Sequence, residues 1–112
     1  MSIEINGKVI ATDAEGYLVD PADWDDNVAA ALAQQEEIEL GAEHWSIIRF
    51  MRKHYDERQI AADARFVKKL LADDLGYGKK ASGRLSELFP YGYVKQACKI
   101  AGMKRPRAWS TG

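Results

Sequence analysis

The chain holds one cysteine, two histidines and three prolines in 112 residues, and each scarcity excludes something. A lone cysteine, Cys98, cannot close an internal disulfide, so the sequence predicts a reducing compartment, the cytoplasm. No apolar run approaches the roughly 20 residues that cross a bilayer, so no membrane partner is expected. The opening Met1-Ser2-Ile3-Glu4-Ile5 has neither a basic nor an apolar leader segment, and no export signal is expected from it. Gly76-Tyr77-Gly78-Lys79-Lys80 lacks the spacing and the following Ser/Thr of a phosphate-binding loop. His44 and His54 lie about 2.8 turns apart, so on one straight helix their rings point roughly 80° and ~15 Å away from each other. They cannot share a metal, and His44 at a helix start suits packing or capping better. No serine, histidine and acid arrangement has a local signature. The sequence therefore predicts no metal and no cofactor.

What is present is an ordinary core composition, 46% hydrophobic and 29% charged, enough for one domain. The net charge of −1 hides a polarity along the chain. Residues 1–44 carry eleven acids and one base, Lys8, while residues 79–112 carry eight bases and one acid, Glu87. Either the basic end attracts a phosphate or an acidic surface, or the two ends lie side by side and neutralise each other.

Ile3 to Ile10 alternates around Asn6-Gly7, the signature of a β-hairpin. Gly16 to Val19 suggests a third short strand. Asp20 and Pro21 open a helix running to about Glu36, with Trp24, Val28, Ala31 and Leu32 on one stripe. Gly41-Ala42-Glu43 starts a second helix that runs to about Tyr55 and buries Trp45, Ile48, Phe50, Met51 and Tyr55. A third covers about Ala62–Leu75, with Phe66, Val67, Leu70 and Leu71 inward and Gly76 ending it. Ser82 caps a short helix closed by Pro90, and a last helix covers about Tyr93–Ala101 and stops at Gly102. The fold class is thus mostly α with an N-terminal β-hairpin and a helix-turn-helix-like C-terminal half. Residues 1–102 form one domain, and residues 103–112 read as a basic arm.

Two features carry candidate chemistry. Cys98 sits among Val94, Ala97 and Ala101, which suits a small buried residue. It also neighbours Lys95 and Lys99, whose charge favours the nucleophilic thiolate. The basic set Lys79, Lys80, Arg84, Lys95, Lys99, Lys104, Arg105 and Arg107 is the second. For DNA, the last helix offers Tyr91, Lys95, Gln96 and Lys99 to base edges, a modest set.

The segment Leu88-Phe89-Pro90-Tyr91-Gly92-Tyr93-Val94-Lys95-Gln96-Ala97-Cys98-Lys99-Ile100-Ala101-Gly102 resembles the hallmark of the DsrC/TusE family. The hairpin, Glu15-Gly16-Tyr17-Leu18, Trp24 and Glu43-His44-Trp45 fit the same family at the same spacing. The resemblance implies a helical orthogonal bundle and a place in sulfur relay, with protein partners of a relay or sulfite-reductase-type system. In the family's carriers a cysteine stands next to last on a C-terminal arm, and sulfite-reductase-type members add one in the Lys-Gln-Ala-Cys motif. Here Cys98 matches the upstream cysteine, and Trp109 falls where gapless extension puts the other. Tyr93 replaces the proline that the family carries after Tyr-Gly. Tryptophan cannot carry sulfur, so the resemblance implies a relay-family protein without the arm thiol. Three functions remain open: an accessory or regulatory binding protein using Lys95, Lys99, Lys104, Arg105, Arg107 and Trp109, a single-thiol acceptor or sulfurtransferase through Cys98, and a DNA-binding regulator. Exposure of Cys98 separates the first two.

Overall fold

Residues 1–105 are described by the structure, a computed structural model. Arg107 and Trp109 of the expected partner-binding set lie outside them.

Asn6 and Gly7 both take positive φ, 52° and 80°, which gives the tight turn the strands need. Strands β1 (Ser2–Ile5) and β2 (Lys8–Ala11) pair antiparallel with Ile3 opposite Ile10. The expected third strand shrinks to one bridge, Thr12 to Leu18. The Asp13 carboxylate accepts from the amides of Glu15 and Tyr17 and folds the chain into a turn. Only one residue of pairing fits before Asp20 diverts the backbone.

Asp20 does cap, accepting from the Ala22 amide, but what it caps is a single 3-10 turn, Pro21–Asp23. Trp24 is extended, and Asp25 then caps α1 (Asp26–Gln35) by accepting from the Val28 amide at 2.9 Å. The one helix expected from Asp20 is therefore two pieces, broken where the Trp24 indole leaves to donate to the Ile100 carbonyl at 2.8 Å.

Helix α2 (Ala42–Arg58) buries Ile47, Ile48, Met51 and His54, on one face of the helix. Trp45, Phe50 and Tyr55, expected inward, flank this stripe and are half-buried. Helix α3 (Ala64–Lys69) is capped by Asp63 and widens into a π-type turn over Leu70–Asp74. Val67 and Leu71 point into the core, but Phe66 does not and is 44% exposed. A 3-10 turn, Gly78–Lys80, leads into α4 (Ala81–Leu88), so Ser82 lies inside the helix rather than capping it. The last helix, α5 (Tyr93–Cys98), is wound with π-type hydrogen bonding. The described structure is thus mostly helical with an N-terminal hairpin, as the sequence pattern predicts.

Hydrogen bonds close the fold over long separations. The Tyr17 hydroxyl donates to the Val94 carbonyl at 2.9 Å, tying the turn after the hairpin to α5. The two charged ends do meet, through Glu15 with Arg105 at 3.2 Å, Glu36 with Lys99 at 3.5 Å, and Glu43 with Arg84. Part of the polarity of the sequence is thus an internal pairing. Among the described residues, no helix is long and apolar enough to cross a membrane.

Candidate functional site: the buried thiol and the root of the arm

Helix α5 turns Tyr93, Gln96, Ala97 and Cys98 to the interior. Cys98 has no exposed surface, and burial pushes its thiol up from 9.0 to about 12. The adjacent Tyr93 side chain opposes that rise and is the weaker effect. The Tyr93 hydroxyl donates its proton to the Ala62 carbonyl, and its burial raises the phenol in turn. Burial disfavours the charged form, so Cys98 holds a neutral thiol. The neighbouring lysines do not alter this, because they face elsewhere. Lys95 is exposed, and Lys99 lies over the Tyr17 ring with its ammonium 3.5 Å from Glu36.

Beyond Cys98 the helix ends in a Schellman motif. The Met103 amide donates to the Cys98 carbonyl at 2.9 Å and the Gly102 amide to that of Lys99 at 3.0 Å. Gly102 takes φ +78°, and a Cβ placed there would stand 2.4 Å from Cδ1 of Trp24. Arg52 completes the clamp. Its guanidinium lies 4.6 Å from the centre of the Trp24 ring and donates to the carbonyls of Ala101 and Pro21. A cation at a helix C-terminus satisfies carbonyls and opposes the dipole. Trp24 and Arg52 thus hold the chain where α5 ends. Met103, expected in the arm, is fully buried and belongs to the body. Lys104 and Arg105 are exposed, with Arg105 paired to Glu15.

The residues available to nucleic acid dwindle on inspection. Gln96 is buried, its carbonyl oxygen accepting from the Tyr91 amide and its amide donating to Glu36. Lys99 and Arg84 are paired with acids. Of the four side chains proposed for base edges, Tyr91 and Lys95 alone are exposed, and nothing here supports nucleic-acid binding. Among the described residues, no three His, Cys, Asp or Glu side chains are grouped to hold a metal.

His44 caps α2. Its Nδ1 accepts from the Gly41 amide at 3.0 Å, which fixes the tautomer so that Nε2–H donates to the Leu88 carbonyl at 2.8 Å. The same helix start holds a cluster that local sequence signals did not reveal. Glu43 accepts from the Tyr77 hydroxyl and from Arg84, whose Nε stands at 2.9 Å. These residues are far apart in sequence, so only tertiary contact shows the group. The Tyr77 and Arg84 hydrogen bonds hold the Glu43 carboxyl below its ordinary value, so its stabilising effect is complete above the unfolded carboxylate range. It is lost as pH falls through the depressed folded value. Chemical denaturation across acid pH should therefore show Glu43→Gln less stable than the parent at neutral pH, the gap closing as pH drops below the usual Glu range. A gap that persists unchanged into strong acid would contradict this account.

Fold and site define a small helical scaffold with a thiol buried in α5 and a Trp24–Arg52 clamp at the C-terminal end of that helix. Comparison with known proteins gives this class a family. The model of the DsrC like protein family matches residues 4–108. Sulfurtransferase TusE of Pectobacterium atrosepticum is 43% identical over 104 residues, 93% of this chain and 95% of that protein. Sulfurtransferase TusE of Salmonella typhimurium is 45% identical over 100 residues, 89% and 92% of the two chains. The oxidized gamma-subunit of the dissimilatory sulfite reductase (DsrC) from Archaeoglobus fulgidus superposes with TM-score 0.85 at 34% identity, covering 96% and 98%. Allochromatium vinosum DsrC does so with TM-score 0.84 at 45% identity, with the same coverage. The chain belongs to the DsrC/TusE family of sulfur-relay proteins.

Proposed function

We propose that this protein acts within a sulfur-relay system by binding, as an accessory or regulatory member that presents its basic arm to a protein partner. The observation that carries this reading is the position of the chain's one thiol. Cys98 is sealed inside α5, and residues 103–112 contain no cysteine. Transfer of sulfane sulfur needs a thiolate that meets the donor, and a reaching arm without sulfur cannot provide it. Lys95 and Lys104 are exposed and give the partner face a positive charge, to which Arg107 adds by its place in the sequence. The alternative, Cys98 as a single acceptor, requires α5 to open around a buried thiol. DNA binding has the weaker claim, since Lys99 and Arg84 are already paired with acids.

Incubation with a persulfide donor, followed by intact-protein and peptide mass spectrometry, tests the proposal. Residues 103–112 are expected to stay unmodified, and the folded protein to remain free of added sulfur on the time scale in which an exposed thiol loads. Rapid stoichiometric loading of Cys98, abolished in Cys98→Ala, would replace the binding role by the acceptor role.

A further inference from the structure

Internal ion pairs engage Glu15, Glu36 and Glu43, but two other acids of residues 1–44 border a groove that the proposed function leaves unused. The groove opens about 540 Å³ between the C-terminal half of α1, the connection that follows it and the start of α2. Ala30, Ala33, Ile38, Leu40 and Trp45 give it an apolar lining, and Glu37 and Glu39 are its charged residues. Among the described residues no lysine or arginine lines it, and neither Glu37 nor Glu39 has an ion-pair partner. Arg49 lies nearby, 4.9 Å from the centre of the Trp45 ring, but its guanidinium is paired with Asp26 at 2.7 Å.

The backbone fixes where one of these carboxylates stands. Helix α1 ends in a Schellman motif, the Ile38 amide donating to the Ala33 carbonyl at 2.9 Å and the Glu37 amide to that of Gln34 at 3.1 Å. Glu37 therefore takes the left-handed position, φ 58°, which ordinarily falls to glycine. Glycine would serve this turn at least as well, so the glutamate contributes charge beside the groove rather than stability. A shallow, open apolar groove suits a segment of chain, whereas a small molecule is usually held in a more enclosed cavity. Two carboxylates without a counter-charge favour a cationic occupant and repel an anionic one. We propose that this groove docks a basic segment of a partner protein, one apolar side chain seated against Ile38 and Trp45 and flanking lysines or arginines meeting Glu37 and Glu39. It uses none of the basic residues assigned to a partner above and does not depend on sulfur chemistry, so either proposal can fail alone.

Titration of the isotope-labelled full chain with the capped peptide Gly-Lys-Lys-Leu-Lys-Lys-Gly, followed by NMR, tests it. Saturable shifts are expected at the amides of residues 30–40 and at the Trp45 indole N–H, with affinity falling as salt rises. Replacing the peptide's leucine by serine should weaken binding by about tenfold. Replacing its lysines by glutamates should abolish binding. Glu37→Gly and Glu39→Gln should each weaken it by about threefold. Glu37→Gly should nevertheless keep its urea midpoint at or above that of the parent, which separates lost charge from lost structure. The Trp24 indole signal, bonded to Ile100, reports that each variant is folded. No saturable binding, shifts centred on another surface, or affinity indifferent to the leucine or to both carboxylates would each overturn the proposal. So would concentration-dependent shifts of the same groove residues in the free protein, which would give the groove to a second copy of this chain.

Discussion

Alkylation of Cys98 at neutral pH is expected to run at least a thousandfold slower in the native protein than in the urea-unfolded chain. The rise of its thiol from 9.0 to about 12 alone leaves roughly a thousandth as much thiolate. Complete burial adds a requirement for opening, so the native rate measures the opening equilibrium of α5. A native rate within tenfold of the unfolded one would show an accessible thiolate and reinstate the acceptor role. Linkage gives an independent check. A thiol whose folded value lies above its unfolded one stabilises fully below about 9 and loses that effect as pH rises towards 12. Replacing Cys98 by Ala should therefore remove part of the alkaline loss of stability that the parent shows in that window.

Gly102→Ala should produce the largest single loss of stability, roughly 2–5 kcal/mol, with the smaller part from φ +78° and the larger from collision with Trp24. The indole cannot retreat cheaply, because its N–H is bonded to Ile100 and Arg52 lies on its face. Against a typical total of 5–15 kcal/mol, this loss is severe. Gly83→Ala is the control. Gly83 lies inside α4 with nothing within 4 Å of a built Cβ, so the change should stabilise by about 0.5–1 kcal/mol. Urea denaturation of both variants measures the contrast. A Gly102→Ala protein as stable as the parent would show that the clamp at the arm's root is loose.

The hairpin was legible because Asn6-Gly7 and the alternation around it are local signals, read within a few residues. The helices were legible in number and order for the same reason. Their boundaries failed where a distant contact decided the backbone. Trp24 breaks the first helix because its partner is the Ile100 carbonyl, and no local signal at residue 24 reveals that. Periodicity put Phe66 and Trp45 inside, while the structure prefers Ile47 and His54. An apolar stripe says that one face is buried, yet its centre depends on which helix lies opposite. Ser82 offered a cap that Gly78–Lys80 made unnecessary by starting the turn early.

The candidate site divides along the same line. Sequence alone established the single cysteine, the lack of cysteine in residues 103–112, the basic C-terminal third and the resemblance to the family. These follow from residue identity and spacing, which folding does not change. Tertiary structure decided that Cys98 is sealed, that Met103 belongs to the core, and that Glu15, Glu36 and Glu43 neutralise Arg105, Lys99 and Arg84. It also assembled Glu43 with Tyr77 and Arg84 at the start of α2. Reactivity depends on solvent and on neighbours, and both are set by which segments pack together. A residue's type is written in the chain, but its dielectric surroundings exist only in the fold.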